Sequence, residues 1–572
     1  MIDQKNEAAE ILLDQAARGQ LDRRRFLTLA TAAGLTGVLP PFATDTALAA
    51  GAVQRANRAA LKDRYDYIVV GAGAAGCVIA ARLAEAGAEV LLIESGGDDD
   101  LPQIATPGIW FTNIGGPLDW RFKAAPSPHV AGRRVPMAMG HVLGGGTSIN
   151  ALLWVRGLAQ DFDGWAAQGC EGWGFSDVLP FYKGIEDWEG GANAWRGAGG
   201  PVHIRTAKDP HPTAPAFIAA AVQMGIPVLD DMNGPMREGA GYVNMSITRD
   251  GTRASASRAF LRPALGRPNL TLLLQTDATR LLFKGSHCTG VRLDRAGTGR
   301  DVAAAKEVIV TAGGMNSAKL LMLSGLGEAA ASRHLGIAPV LDLPGVGRNF
   351  QDHPLLFGVV FGYKGKMPPR SMSSNAVEAA AYVRSDASKD GPDIKMVLMQ
   401  LPVLTDELRA RYGAPPPDSF TISPALVRTT SRGKLSLASA DWRQEAVLDA
   451  GFLATEHDLD TTVRCIEMCR ELGHQQAFDG IRASELVPGR PTTKAELRDF
   501  ARNATLSFGH PVGTCRMGTD ARAVVDARLR VHGIEGLRVC DSSVMPTIIT
   551  GPTQAPTMMI GAKAAQMILA AA

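Results

Sequence analysis

Apolar positions gather early in the chain into a strand–turn–helix–strand unit. In YDYIVVGAGAAGCVIAARLAEAGAEVLLIESGG (65–97) the unbroken run Tyr67 to Val70 reads as a short buried strand. Gly71, Gly73 and Gly76 interrupt it, Cys77 to Ala86 is an alanine-rich helix stopped by Gly87, and Glu89 to Ile93 is a second strand. The segment KEVIVTAGGMNSAKLLMLSGLG (306–327) repeats the strand–turn–helix pattern far along the chain. GPDIKMVLMQLPVLTDEL and SPALVRTTSRGKLSLAS read as apolar strands of another sheet, and HDLDTTVRCIEMCRELG as an amphipathic helix. GGANAWRGAGG (190–200) and APPPDS (414–419) are loops, and no internal repeat occurs. The pattern predicts an α/β fold: a discontinuous nucleotide-binding domain with a substrate domain inserted in pieces.

The N-terminus is different in kind. LDRRRFLTLATAAGLTGVLPPFATDTALAA (21–50) sets Arg23 and Arg24 before Phe26-Leu27, then a short apolar run ending at Pro40-Pro41, then Ala47-Leu48-Ala49 as a cleavage site. The run falls short of the about 20 apolar residues that span a bilayer. Residues 1–50 therefore read as a removable twin-arginine export signal, with a disordered basic tail as the alternative. Export implies a periplasmic or secreted protein with no membrane span after the signal is removed. Composition adds exclusions. A net charge of +2 on 572 residues, without a basic stripe, argues against nucleic acid. Seven scattered cysteines form no disulfide framework, and no metal-ligand spacing occurs.

Chemistry enters with the glycines. Gly71, Gly73 and Gly76 follow a strand and precede a helix, and Glu94 ends the next strand at the spacing of about 20 residues expected of a ribose-binding acid. Backbone amides at Ala74, Ala75 and Gly76 open the helix, where a pyrophosphate would be held. A second loop, Gly144-Gly145-Gly146-Thr147, either passes beneath a ring or phosphate or is simply a tight turn. His510 lies in FGHPVGTCRMG (508–518), between a glycine that opens space and a proline that biases it toward extended backbone.

The ordered motifs resemble the glucose–methanol–choline (GMC) flavin oxidoreductases from about residue 64 to 570. They are the opening glycine turn, GHVLGGGTSINALLWVRG (140–157), SASRAFLRPALGRPNL (255–270), segment 306–327, PGVGRNFQDHP (344–354), GHPVGTCRMG, and LRVCDSSVMPT (537–547) followed by PTQAPTMMIGAKAA. The resemblance implies an FAD-binding Rossmann-like domain over 62–160, 253–355 and 500–572. It implies an inserted α+β substrate-binding domain, built on an antiparallel sheet, over 161–252 and 356–499. It places Gly144, Gly145, Thr147 and Asn150 against the flavin, the backbone of Ala278 against the adenine and Asp541 near the flavin side chain. It makes His510 the base that takes the hydroxyl proton of a small-molecule alcohol. Ile149 stands where some relatives carry a histidine that attaches the flavin covalently, so FAD is expected to be free. His141 departs from the family's Arg or Lys, as a space-filling residue or as one that tunes the flavin. His353 reads as structural.

The larger departure is Pro552, where the family supplies a second His or Asn. Proline offers neither a side-chain donor nor a base, so a hydroxynitrile-lyase-like reaction on the flavin fold stands as the alternative, with Thr553 or Gln554 as substitutes in the oxidoreductase reading. Trp110, Phe111 and Trp120 lie in a loop-rich segment over the expected flavin entrance. Alternate residues of Met396-Val397-Leu398-Met399 face either the pocket or the core. Phe508 would shield a flavin from oxygen. The electron acceptor is oxygen or a periplasmic cytochrome or quinone.

Overall fold

The run that reads as a buried strand forms Arg64–Val70, in a computed structural model that describes residues 45–235 and 238–571. Most of the expected export signal, including Arg23 and Arg24, lies outside the described residues. Helix Asp45–Ala59 runs through the expected cleavage site. Its Gln54 side chain donates to the Leu270 carbonyl at 2.8 Å and accepts from Leu272 N–H at 2.9 Å. Those contacts cover the edge of the first sheet, which would otherwise present unpaired backbone groups.

That sheet has seven strands. Leu270–Leu273, Val90–Ile93, Arg64–Val70, Thr298–Val310 and Leu537–Val539 run parallel, and Asp277–Lys284 and His287–Arg295 extend it as an antiparallel meander through the long Thr298–Val310 strand. Parallel strands are covered on both faces, which is why Ile68, Val69, Leu91 and Ile309 are completely buried. Helix Ala74–Glu85 packs on helix Gln554–Ala571, and a Cβ on Gly561 would stand 2.9 Å from Ala75 Cα. The small residue sets how closely the two helices approach.

The second sheet is antiparallel and has eight strands, with Arg482–Val487, Val360–Tyr363, Ser419–Leu426, Ile394–Met399, Ala379–Val383 and Gly239–Tyr242 in that order. Helix Glu456–His474, whose first turn is capped by Thr455 accepting from Asp458 N–H, packs on one face. Strand periodicity sorts Ile394–Met399 between two cores. Ile394, Met396 and Leu398 join the cluster that holds this helix, while Val397 and Met399 join a cluster with Leu355, Tyr382, Ala425 and the partly buried Phe508 and Trp110. Short strands Pro354–Leu356 and Thr505–Ser507 also pair in this sheet. The antiparallel layer thus begins before 356 and continues past 499, across the limits expected from sequence. That pairing sets His353 beside Phe508, whose N–H donates to the His353 carbonyl at 3.0 Å.

Candidate active site

Two glycine loops meet at the head of the parallel sheet. Gly71 has φ +102°, and a Cβ there would come 2.6 Å from the Thr311 carbonyl. A Cβ on Gly76 would stand 1.9 Å from the Gly71 carbonyl. Gly145, at φ +55°, brings its backbone against Gly73, where a Cβ would fall 2.9 Å from Gly73 Cα. Gly144 N–H donates to the Ala72 carbonyl at 2.8 Å, tying one loop to the other. Helix Ala74–Glu85 starts at Gly73 with no side-chain cap and no acidic residue in its first turn. Its first amides and the positive end of its dipole are therefore open to an anion.

Glu94 closes the cradle. Its carboxylate accepts from Ala72 N–H at 2.9 Å and Gly96 N–H at 2.8 Å, and burial pushes its pKa up to about 7 against those bonds. Thr276 N–H donates to the Glu94 carbonyl, which places the start of the strand carrying Ala278 at the same end. Thr147 is committed to its own loop: Oγ1 donates to Gly144 at 2.6 Å and accepts from Ala256 N–H at 3.0 Å. Asn150 accepts from Leu152 N–H at 3.0 Å and Arg253 at 2.9 Å, and donates to Gln554. Asp541 caps the turn Ser542–Val544, accepting from Ser543 N–H at 2.8 Å, and reaches Gly313 N–H at 2.8 Å and the Ser317 hydroxyl. The expected cofactor residues thus gather around the first sheet, while the side chains of Thr147, Asn150 and Asp541 hold backbone there.

His510 stands where the two sheets meet. Its N–H donates to Asp352 at 2.9 Å, and the same carboxylate accepts from the Ser507 hydroxyl. Gly509 precedes it at φ +75°, a left-handed position glycine takes without strain. Pro511 is held from the other side, where its carbonyl accepts from the Ser542 hydroxyl at 2.9 Å, and a Cβ on Gly314 would lie 2.1 Å from that oxygen. Phe508 stacks on the imidazole with centroids 4.6 Å apart and planes inclined by 25°. Backbone anchors and an aromatic wall leave the ring little freedom.

The structure gives His510 a partner in His353, a residue the sequence presents as merely structural. His353 Nδ1 lies 2.9 Å from His510 Nδ1, and the two rings are nearly perpendicular. Both are buried. Burial first, then His353 and the ammonium of Lys395, hold the His510 pKa well below the usual 6.5. Burial, then Lys395, takes His353 down to about 3, against the carbonyls of Val427 and Ile549. Burial pushes Asp352 up to about 7. His510 is therefore neutral at physiological pH, with a lone pair to offer.

Lys395 is a second group that the apolar strand pattern hides, although its alternation with Val397 and Met399 marks the face it shares. Pro552 is buried, and its neighbour Gly551 lies under Tyr382, whose hydroxyl would stand 3.6 Å from a Cβ added there. Gln554 does not replace the missing partner: it accepts from Asn150 and donates to Ser246 at 2.9 Å. Trp110 packs in the cluster with Phe508 and donates to the Asn375 carbonyl at 2.8 Å, whereas Trp120 stacks on Phe122 and lies against His141. All seven cysteines are buried and free. Among the described residues no His, Cys, Asp and Glu grouping fits a metal, and no helix is long and apolar enough to cross a membrane.

Comparison with known proteins agrees with this geometry. The N-terminal GMC oxidoreductase family model matches residues 65–355 and the C-terminal one residues 429–561. The chain is 37% identical to the oxygen-dependent choline dehydrogenase of Brucella ovis over 88% of this chain and 95% of that one. Among solved structures, pyridoxine 4-oxidase from Mesorbium loti superposes with a TM-score of 0.84 at 33% identity, covering 88% of this chain and 98% of its own. Formate oxidase of Aspergillus oryzae superposes with a TM-score of 0.82 at 26% identity, covering 89% and 98%. These matches lend no support to the lyase alternative.

Proposed function

The chain belongs to the GMC oxidoreductase family, whose members oxidise CH–OH groups with FAD, and from that premise we propose that His510 is the base for oxidation of a small alcohol. The observation that carries this reading is a buried, neutral imidazole fixed by Asp352 and His353 beside an apolar cluster.

The residues present fit FAD: a cradle that Cβ atoms would fill, an uncapped helix N-terminus for the pyrophosphate, and Glu94 at the ribose spacing. Gly71, Gly73 to Gly76 and Glu94 would hold the nucleotide half, with Ala278 at the adenine. Gly144, Gly145, Thr147, Asn150 and Asp541 would hold the remainder. When bound, the flavin supplies a two-electron acceptor for the carbinol hydride.

The chain's own part is the proton. His353 occupies His510 Nδ1, so the nitrogen left for substrate is Nε2. A lone pair at Nε2 puts the ring proton on Nδ1, donated to His353 Nδ1, and the His353 proton then sits on its own Nε2. Among the described residues that nitrogen has no hydrogen-bond partner. A substrate hydroxyl donates to His510 Nε2 and transfers its proton there. The resulting imidazolium is disfavoured by burial and by Lys395, so the proton is held only briefly. With Pro552 at the usual position of the second polar group, the hydroxyl is oriented by the imidazole and by the walls around it.

Anaerobic mixing of the purified holoenzyme with a panel of primary alcohols tests this reading. At least one alcohol is expected to bleach the flavin, and failure of all of them overturns it. Re-oxidation in air against artificial acceptors then separates oxygen from a cytochrome or quinone. We also propose twin-arginine export to the periplasm, supported by Arg23-Arg24, the short apolar run and Ala47-Leu48-Ala49. Replacing Arg23 and Arg24 by lysine is expected to retain the full chain in the cytoplasm on cell fractionation; equal export of both forms contradicts the proposal.

A further inference from the structure

Lys395 sits mid-sheet, opposite Tyr382 on one flanking strand and Ala425 on the other. It shares a face with Val397 and Met399, the face that packs toward Phe508. Its residue is 1% exposed, so the stem cannot carry the ammonium to water. Among the described residues Nζ has no hydrogen-bond partner. It lies 4.9 Å from the centre of the Tyr382 ring and 5.4 Å from that of Phe508, the ring stacked on His510. It is near enough to both histidines to lower their pKa values.

Among the described residues no carboxylate acts on this ammonium, and burial alone takes its pKa down to about 7. The buried acids of the neighbourhood are engaged elsewhere. Asp352 holds His510 N–H, Asp393 holds Ser385, and Glu378 holds Ser374 and Gln400. A buried polar group left unpaired is destabilising, and more so when charged. Such a group, packed on the ring that stacks on the base, marks a place where a ligand completes the bonding.

On the reading of His510 as the base of an alcohol-oxidising site, we propose that Lys395 binds an anionic oxygen of the substrate, a carboxylate or phenolate remote from the reacting carbinol. The site therefore takes alcohols that carry such an oxygen and rejects alcohols that carry a quaternary ammonium. Tyr382 and Phe508 flank the contact, so a flat or slender spacer between the two oxygens suits it. An alcohol with a fixed positive charge meets a buried ammonium, with no free carboxylate among the described acids of the neighbourhood to offset the repulsion.

The test uses the purified holoenzyme and matched alcohols. The aromatic set is benzyl alcohol, 4-(hydroxymethyl)benzoate, 4-(hydroxymethyl)phenol and 4-(hydroxymethyl)benzyltrimethylammonium. The aliphatic set is 1-butanol, 4-hydroxybutanoate and choline. Rates of anaerobic flavin bleaching should favour the carboxylate or phenol member over the neutral one by about 10-fold or more, with the cationic member slowest. Which of the two acidic members leads identifies the anion. In Lys395→Met the acidic-to-neutral preference should fall by about 10-fold or more, chiefly through KM. Independently, benzoate binding to the oxidised wild type at pH 8 should draw about one proton per site from solution, because pairing restores the ammonium. If the variant does not fold, wild-type selectivity and proton uptake decide. Preference for the neutral or cationic alcohol, or benzoate binding without proton uptake, overturns the assignment of Lys395 and leaves the alcohol chemistry standing. Absence of bleaching by every alcohol overturns the reading of the site itself.

Discussion

Replacing His510 by alanine is expected to lower kcat/KM for alcohol oxidation by about 10²–10⁴ while the protein still purifies yellow. The two halves of that expectation rest on different parts of the molecule. The cradle proposed for the flavin is built from Gly71 to Gly76, Glu94 and Gly144 to Asn150, none of which depends on the imidazole for its contacts. Neither of the two titratable groups bonded to His510 can take its place. His353 is depressed to about 3 and engaged through Nδ1, and Asp352 is turned toward the backbone of His510. The pH profile gives a second readout. With the His510 pKa well below 6.5, the acid limb of kcat/KM for a neutral alcohol should fall below pH 6.5, because activity is lost only as the imidazole becomes protonated. In His510→Ala that limb should vanish, and residual turnover should rise with alkalinity as the alcohol ionises unaided. A variant within threefold of wild type, or one that keeps the acid limb, assigns the base elsewhere. A colourless variant would show that the imidazole contributes to flavin retention.

Much of this site is legible in the amino-acid sequence, and what is not legible there comes mainly from contacts between distant segments. The glycine turn, the helix after it and Glu94 lie within one short stretch, and local spacing fixes their arrangement. The His353–His510 contact depends on the pairing of Pro354 with Ser507, two strands of three residues each from distant parts of the chain. Nothing in the periodicity of either segment announces that register. Lys395 is a different case. A lysine alternating with Val397 and Met399 on a strand that reads as buried is a visible conflict between residue and environment. Treating the strand as uniformly apolar passes over it. Thr147 and Asp541 show the reverse: side chains expected to meet the cofactor are committed to backbone amides and carbonyls, so their influence on it passes through the loops they fix.

Gly76→Ala should yield protein with little or no FAD. The added methyl would stand 1.9 Å from the Gly71 carbonyl and 2.7 Å from the Thr311 hydroxyl, which itself donates to that carbonyl at 2.7 Å. Backbone cannot yield by that distance without opening the turn from Gly71 to Gly73, and the amides at the head of helix Ala74–Glu85 would no longer converge on one anion. Gly145→Ala attacks the same cradle from the second loop, where the methyl would meet Gly73 Cα at 2.9 Å and the backbone is left-handed. Gly87 is the control. It ends the same helix at φ +89° with nothing within 4 Å of an added Cβ, so alanine there costs only the left-handed backbone strain of about 1–2 kcal/mol. The ratio of flavin to protein absorbance, measured with thermal unfolding by circular dichroism, separates loss of cofactor from loss of fold. Gly76→Ala and Gly145→Ala should fold with most of the flavin gone and recover little on incubation with excess FAD, whereas Gly87→Ala should stay yellow. Full flavin content in Gly76→Ala would mean that the cofactor does not rest on this turn, and the assignment of Glu94 and Gly145 to the same cradle would go with it.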